Sequence, residues 1–213
     1  GMFAFAIWDE REKELFCARD HFGIKPLYFM QLGNEFYFAS ETKALIPFIK
    51  NLEPNLEALK DYITFQLCLG EKTMFKNIFQ LEQAHFMIVS NKGIKVEKYW
   101  DVNFEPNFDI NEESFCEELK STLKNSINAH LVGDVPIGTY LSGGFDSSAI
   151  ASLANSLGHG NNLIGFTGKF SKYGSNFDES LYAREVATKG KFEIKELEIS
   201  AQDFVDNIQK VIY

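Results

Sequence analysis

The sequence has few cysteines and histidines, the residues that form the disulfides of small secreted proteins and bind structural zinc. Its three cysteines, Cys17, Cys68 and Cys116, are odd in number and far apart, so they form neither a CxxC pair nor a disulfide framework. Its four histidines show no HExxH or other metal-ligand spacing. These absences argue against a disulfide-stabilised protein and a structural zinc site, and we expect all three cysteines to be buried thiols.

Long apolar runs and basic patches are also missing. No apolar run approaches the roughly 20 residues needed to span a bilayer, and no signal peptide opens the chain. The 21 lysines and arginines are outnumbered by 30 aspartates and glutamates, and the net charge is -9. A nucleic-acid binder normally needs a concentrated basic face. We therefore expect a cytoplasmic protein with neither a membrane nor a nucleic-acid partner.

Apolar side chains, in contrast, are plentiful. Hydrophobic residues make up 45% of the chain and charged residues 24%, which is ordinary for a globular protein. The 21 phenylalanines are expected to dominate the buried area. A length of 213 residues allows one large or two small domains.

The first hundred residues predict mostly β-structure, because short aromatic-rich runs alternate with turn signals. Met2–Trp8 is a continuous apolar run that predicts a buried strand. The helix predicted at Leu56–Leu67 is amphipathic, with Leu59, Ile63 and Leu67 on one face. Further strands are predicted at Glu14–Ala18, Pro26–Leu32, Glu35–Ala39, Ala84–Val89 and Gly93–Tyr99, and a short helix at Glu41–Phe48.

The pattern changes at Asp101–Asn111, which has amide-rich and acidic turns, a proline and no periodicity, and is predicted to be a linker. Beyond it, strands separated by helices predict a parallel sheet with helical crossovers. Two architectures therefore meet near residue 105. Helices are predicted after a cap at Asn111, at Ser147–Leu157, from Asp178 to Lys189 and from Ala201 onward. Strands are predicted at Ile137–Leu141, Leu163–Phe166 and Phe192–Ile199.

The strongest chemical signal is SGGFDSS at residues 142–148, between a predicted strand and a predicted helix. Gly143 and Gly144 let the backbone approach a bulky anion, and their N–H groups can form a nest. The following helix adds the positive end of its dipole, and three serines add hydroxyl donors. Asp146 suits an anion site only if it holds Mg²⁺ against phosphates.

This segment resembles the PP-loop of ATP pyrophosphatases, which split ATP between the α and β phosphates to adenylate a substrate. It is not a Walker A loop, because the GK[ST] ending is absent. NAD synthetases, GMP synthetases, argininosuccinate synthetases and tRNA-sulfurating enzymes carry similar loops. The loop alone therefore does not fix the substrate.

Segments on both sides of the loop narrow the choice. GMFAFAIWD (1–9), ARDHFGIKPLYF (18–29) and FASETKAL (38–45) resemble the later part of the glutaminase domain of class II amidotransferases. VPIG (135–138) before the loop, with GFTGKF (165–170) and FDESLYAREVA (177–187) after it, resembles asparagine synthetases. The resemblance covers nearly the whole chain, and only the glutamine-hydrolysing asparagine synthetases and their close relatives join these two kinds of segment.

The resemblance implies the fold and the reaction. Residues 1–100 would be the C-terminal part of an N-terminal-nucleophile αββα sandwich, a partial glutaminase domain, and 101–110 a linker. Residues 111–213 would begin a Rossmann-like, parallel-sheet PP-loop domain, so that two partial domains of α/β and α+β class follow each other. In the family this pair of domains adenylates aspartate with ATP and Mg²⁺ and amidates it with ammonia from glutamine. A homodimer of the full-length enzyme is compatible with this resemblance.

The resemblance also implies the site residues. Asp146 is the expected Mg²⁺ ligand, and Gly168 falls where the family makes a backbone contact to adenine. Carried over position by position, the expected ATP-binding residues are Leu141, Ser142, Gly143, Gly144, Asp146, Ser147, Ser148 and Gly168.

The chain departs from the family at its catalytic groups. The family's nucleophile is a cysteine directly after the initiator methionine. Here Gly1 precedes Met2, and none of the three cysteines lies near a terminus. The glutamine-holding segments upstream and the SGEGxDE segment and lysine of the synthetase site downstream are absent. We therefore expect an internal fragment of the parent ligase that is inactive by itself and contains no catalytic residue.

Two other functions stay open at this point. Related amidotransferases amidate sugar acids in cell-surface biosynthesis or close β-lactam rings, and the acceptor pocket lies outside this sequence. The other alternative is a non-catalytic, nucleotide-binding remnant of a split gene.

Two polar clusters are interpreted structurally. Arg19 and Asp20 are expected to form a tight turn with a local ion pair rather than to brace an ammonia path. Asp178, Glu179 and Arg184 are expected to cap a helix and to line its exposed face rather than to contact a substrate.

Overall fold

The computed structural model describes residues 1–133, 135–159, 163–170, 174 and 178–212. Contacts divide the chain between Glu105 and Pro106 into two compact units. Each unit contains helices and sheets, which confirms the mixed α/β class predicted from the sequence.

The first unit is built from two antiparallel sheets. Its elements are β1 (Ala4–Asp9), β2 (Glu14–Arg19), β3 (Tyr28–Leu32), β4 (Glu35–Ala39), α1 (Leu56–Phe65), β5 (Phe79–Gln80), β6 (His85–Ser90) and β7 (Gly93–Lys98). The larger sheet has the order β1-β2-β6-β7 and the smaller the order β4-β3-β5. Tight turns join β3 to β4 and β6 to β7.

The core of this unit follows the alternation of side chains along the strands. Cys17 and Met87 from the larger sheet and Phe29 from the smaller one belong to one buried cluster. The next residue of β3, Met30, points to the opposite face and packs with Leu45 in a second cluster. The smaller sheet is therefore covered on both faces.

Three predictions for this unit need correction. The strand predicted as buried at Met2–Trp8 begins at Ala4. Phe5 and Ile7 are exposed because alternate residues point away from the core, and Trp8, near the end of the strand, is 52% exposed as well. The helix predicted at Leu56–Leu67 ends at Phe65, so Leu67 is not part of its apolar face, and Ile63 on that face is 75% exposed. The helix predicted at Glu41–Phe48 is two 3₁₀ turns, the second of which contains a proline that cannot continue a hydrogen-bonded helix.

The second unit contains a parallel sheet of order β10-β9-β8, which confirms the predicted helical crossovers. The side chain of Asn111 caps its first helix by accepting a hydrogen bond from the Ser114 amide at 2.9 Å, also as predicted. The elements are α2 (Glu112–His130), β8 (Ile137–Tyr140), α3 (Phe145–Ala154), β9 (Leu163–Lys169), α4 (Ser180–Gly190), β10 (Glu193–Glu198) and α5 (Ala201–Ile212).

One face of this sheet is buried by helices. Leu141, Leu163 and Phe192 pack there against alanines of α3 and α4, whose small side chains let the helices come close to the strands. The opposite face carries Tyr140, which is 91% exposed, and Leu197, which is 69% exposed. A depression of about 720 Å³ lies on that face.

The start of α4 differs slightly from the prediction. The residue before the helix is Glu179 rather than Asp178, although the Asp178 carboxylate still accepts a hydrogen bond from the Ser180 amide at 3.1 Å. The FDESLYAREVA segment begins at Phe177 and the predicted last helix extends to Tyr213, and both of these residues lie outside the described part of the chain.

Candidate functional site

The SGGFDSS segment connects the carboxyl end of β8 to the amino end of α3. Leu141, the residue before it, is 1% exposed, and its amide donates to the Phe166 carbonyl of β9 at 2.9 Å. Gly144 is the residue that precedes α3. The loop is therefore fixed at both ends, at the edge where the parallel strands end and ligands bind in open α/β sheets.

A small hydrogen-bond network shapes the loop from inside. The Ser142 hydroxyl accepts from the Gly144 amide at 3.2 Å and lies 3.0 Å from the Ser147 hydroxyl. The Ser147 hydroxyl donates to the Gly144 carbonyl at 3.2 Å. These contacts hold the loop in one conformation before any ligand binds, which reduces the entropy lost on binding.

Gly143 is the position where the loop touches α4. Its φ is +86°, in the left-handed region that favours glycine. A Cβ atom there would lie 2.6 Å from the Tyr182 Cβ and 2.8 Å from the Ala183 amide nitrogen. No residue with a side chain fits this place unless α4 moves, so the glycine lets the loop and α4 pack directly.

Two further loop side chains have properties that suit an anion or a metal. The Ser148 hydroxyl is buried and has no hydrogen-bond partner among the described residues, which is uncommon for a buried polar atom. Asp146 is exposed in the first turn of α3. Within the described ranges no three His, Cys, Asp or Glu side chains converge into a metal site, so protein ligands alone do not form a cation cage there.

A cavity of about 450 Å³ lies beside the loop, between the ends of β8 and β9. It brings together three of the expected ATP-binding residues, Leu141, Ser142 and Gly168. The other five, Gly143, Gly144, Asp146, Ser147 and Ser148, continue from this cavity along the loop and the first turn of α3.

Sequence reasoning missed part of the cavity wall. Phe166 and Phe170 of the β9 segment line it, and so does Glu179, which had been interpreted as a helix cap. Glu179 occupies the cap position before α4 and is exposed, as the structural interpretation predicts, but its side chain makes no hydrogen bond to the helix. The available signal was its position, because the segments that follow neighbouring parallel strands meet at one edge of the sheet.

The charged groups of α4 are held by local contacts. Arg184 forms a two-point ion pair with Glu196 of β10, at 2.5 and 3.0 Å, and this hydrogen bonding raises the pKa of Arg184. Hydrogen bonding with Ser180 lowers the pKa of the Asp178 carboxyl. Both side chains thus stabilise the position of α4, in agreement with the structural interpretation of these two residues.

The first unit contains a buried carboxylate, Asp20, which is 2% exposed. It accepts hydrogen bonds from the amides of Phe3, Phe22, Ile24 and Lys25, at 3.0 to 3.3 Å. Burial acts to raise the pKa of Asp20, but the four backbone donors together hold it below its ordinary value.

Arg19, the neighbour of Asp20, donates to the carbonyls of Gly23, Lys25 and Leu81 at 2.6 to 2.9 Å. The expected ion pair between the two side chains is therefore replaced by backbone contacts of each. Together they fix the turn at residues 20–25.

The three cysteines differ in exposure. Cys17 is fully buried, and burial raises the pKa of its thiol to about 11, which disfavours the reactive thiolate. Cys68 is partly buried, and burial raises its pKa also. The prediction of a buried thiol is wrong for Cys116, which is exposed on α2.

No helix in the described part of the chain is long and apolar enough to cross a membrane.

Comparison with known families gives a match in each unit. Residues 1–100 match a glutamine amidotransferase domain, and residues 118–213 match asparagine synthase. The chain belongs to the asparagine synthetase family. Members of this family at 31 to 34% identity align with nearly the whole chain.

The similar proteins are longer than this chain. Asparagine synthetase [glutamine-hydrolyzing] 1 of Bacillus subtilis (strain 168) is 34% identical over 100% of the chain, which spans 33% of that protein. A putative asparagine synthetase [glutamine-hydrolyzing] 2 of Methanocaldococcus jannaschii is 31% identical over 99% of the chain, which spans 41% of that protein. The chain thus spans about a third to two fifths of the length of these curated relatives.

Solved structures add little. A glutamine phosphoribosylpyrophosphate amidotransferase from B. subtilis aligns with 91% of this chain and 31% of its own length, at 14% identity and a TM-score of 0.28. A score this low carries no argument about the arrangement of the sheets.

Proposed function

We propose that this chain supplies the ATP-binding loop of a glutamine-dependent asparagine synthetase. The observation that carries the proposal is the SGGFDSS segment, which is folded as a strand–loop–helix with a buried Ser148 hydroxyl that none of the described residues hydrogen-bonds. The first unit would be the later part of an N-terminal-nucleophile glutaminase domain, and the second the beginning of a Rossmann-like PP-loop domain. The asparagine synthetases among the similar proteins favour this function over a sugar-acid amidotransferase or a non-catalytic remnant.

The residues present suit a nucleoside triphosphate. The buried Ser148 hydroxyl would gain the partner that it lacks, and the first amides of α3, which have no intrahelical acceptors, would face the negative charge. Leu141 and Gly168 belong to the wall of the adjacent cavity, whose apolar part suits a base. When bound, ATP supplies the adenylyl group that activates a carboxylate.

The chain's own residues bind and orient in this proposal. Gly143 and Gly144 bring the backbone close to the phosphates, and the Ser148 hydroxyl donates a hydrogen bond to them. Ser142 and Ser147, whose hydroxyls bond to each other and to the backbone of Gly144, hold the loop around the phosphates. Asp146 would hold Mg²⁺ together with phosphate oxygens, because a single exposed carboxylate suffices when the phosphates complete the coordination. The substrates of the parent enzyme would be ATP, aspartate and glutamine, and a homodimer in the cytoplasm is its proposed state.

Titration of the full 213-residue chain with ATP, with and without Mg²⁺, tests the proposal. Asp146→Ala should weaken Mg·ATP binding about tenfold and leave metal-free ATP binding nearly unchanged, and Ser148→Ala should weaken both. Asp206→Ala, which removes an exposed carboxylate of α5, is the matched control and should change neither. Absence of ATP binding by the unmodified chain, or a silent Asp146→Ala change, contradicts the proposal.

A further inference from the structure

The cavity beside the loop has an uneven distribution of charge. Leu141, Phe166 and Phe170 form its apolar wall. Glu179 is the one acidic or basic side chain among the described residues that line it, and it stands exposed at the rim. A lone carboxylate on an otherwise uncharged wall favours a ligand group that donates hydrogen bonds there.

The carboxylate of Glu179 makes no contact that stabilises the fold in the described part of the chain. It makes no hydrogen bond to α4 and forms no ion pair with a described residue, whereas its neighbour Asp178 is engaged with the Ser180 amide. Only its backbone is used, since the carbonyl accepts from the Tyr182 amide at 3.0 Å. The side chain is thus available to a ligand.

The position of Glu179 relative to the loop limits which part of a nucleotide it could meet. Its carbonyl oxygen lies 3.1 Å from the place that a Gly143 Cβ would occupy, so the residue adjoins the proposed phosphate site. A carboxylate repels phosphates, and the adenine is expected deeper, against Leu141 and Gly168. The ribose joins these two parts and carries hydroxyl donors, as the carboxylate requires.

We propose that Glu179 accepts hydrogen bonds from the ribose hydroxyls of the bound nucleotide and so makes the site selective for ribonucleotides. This inference rests on the proposed function, because it takes ATP as the ligand of the loop. It assigns the first residues of the FDESLYAREVA segment to two different tasks, with Asp178 holding α4 and Glu179 contacting the ligand.

Binding of ATP, 2′-deoxyATP and 3′-deoxyATP to the full chain tests it, since each analogue lacks one of the two hydroxyls. The unmodified chain should bind ATP about fivefold more tightly than at least one of the analogues. Glu179→Ala should abolish this preference by weakening the binding of ATP more than that of the analogue that lacks the contacted hydroxyl, and Glu179→Gln should retain part of it because its amide oxygen still accepts. Glu185→Gln, on the exposed side of the same helix, is the control and should keep the full preference.

The possible results separate the two proposals. If the unmodified chain binds all three nucleotides equally, or if Glu179→Ala changes their affinities by one common factor, the ribose contact is refuted while the loop keeps its ATP site. A common factor that appears only with Mg²⁺ would make Glu179 a metal-linked residue instead and would also overturn the inference. If no nucleotide binds, the proposed function fails together with it.

Discussion

Gly143 and Tyr182 are packed so closely that a Cβ atom on the glycine would lie 2.6 Å from the Cβ of the tyrosine. The contact joins the proposed phosphate loop to α4, and the same helix carries Glu179 at its start. The conformation of the loop and the position of Glu179 therefore depend on each other. A substitution at Gly143 or Tyr182 should therefore alter both the conformation of the loop and the position of Glu179.

Replacement of Gly143 by alanine should destabilise the second unit by about 2–3 kcal/mol, through steric overlap and a strained positive φ, and should weaken ATP binding at least tenfold. Gly158→Ala is a matched control. Gly158 has nearly the same φ, +85° against +86°, but no atom of a described residue comes within 4 Å of its Cβ position. The Gly158→Ala substitution should lower the free energy of unfolding by only about 1 kcal/mol and should leave ATP binding unchanged. Urea denaturation and ATP titration of both variants check this, and equal effects would show that α4 does not constrain the loop.

Replacement of Asp20 by asparagine should lower the free energy of unfolding by about 2–3 kcal/mol, because an amide cannot satisfy four buried backbone donors. The pKa of Asp20 is held below its ordinary value in the folded state. Its contribution is therefore complete above the ordinary carboxyl pKa, about 4, and is lost as the pH falls through the folded value.

Urea denaturation between pH 7 and pH 2 measures this dependence. Part of the acid destabilisation of the unmodified chain should be missing from Asp20→Asn. Asp109→Asn, an exposed residue of the linker region, should retain the whole of it. Identical pH profiles for all three proteins would mean that Asp20 does not stabilise the fold through its charge.

The ion pair between Arg184 and Glu196 should matter more than an exposed pair on the same helix. Its side chains are 41% and 25% exposed, compared with 82% and 57% for Lys189 and Glu185. Glu196→Gln should therefore lower the free energy of unfolding measurably more than Glu185→Gln does. Chemical denaturation at low and at high salt compares the two, and an equal cost would show that the link between α4 and β10 adds no stability.

The purified chain should release no glutamate from glutamine. Hydrolysis of this amide in the family needs an activated cysteine, and the Cys17 thiol is buried with its pKa raised to about 11. An enzymatic glutamate assay, with an active glutaminase as positive control, measures this directly. Release that disappears on Cys17→Ala or Cys116→Ala would identify a nucleophile and disprove the expected inactivity.

Local sequence signals predicted much of the fold. Asn111 caps α2 because a short amide side chain before a periodic helix satisfies a free amide, and this needs no distant partner. The turn between β3 and β4 and the alternation of strands and helices after residue 111 are local in the same sense. In contrast, periodicity grouped Leu59 and Ile63 on one face of α1 but could not say whether that face has a partner.

The sequence by itself determined the composition of the loop and the family of the chain. The reason is that the glycines, serines and aspartate of the loop are consecutive residues between a strand and a helix. The tertiary structure alone decided which distant groups surround that loop. It placed Glu179 at the cavity rim, Tyr182 against Gly143 and the amide of Phe3 against the Asp20 carboxylate. Contacts of this kind depend on how the helices pack against the sheet and how the turns fold, and no spacing along the chain encodes them.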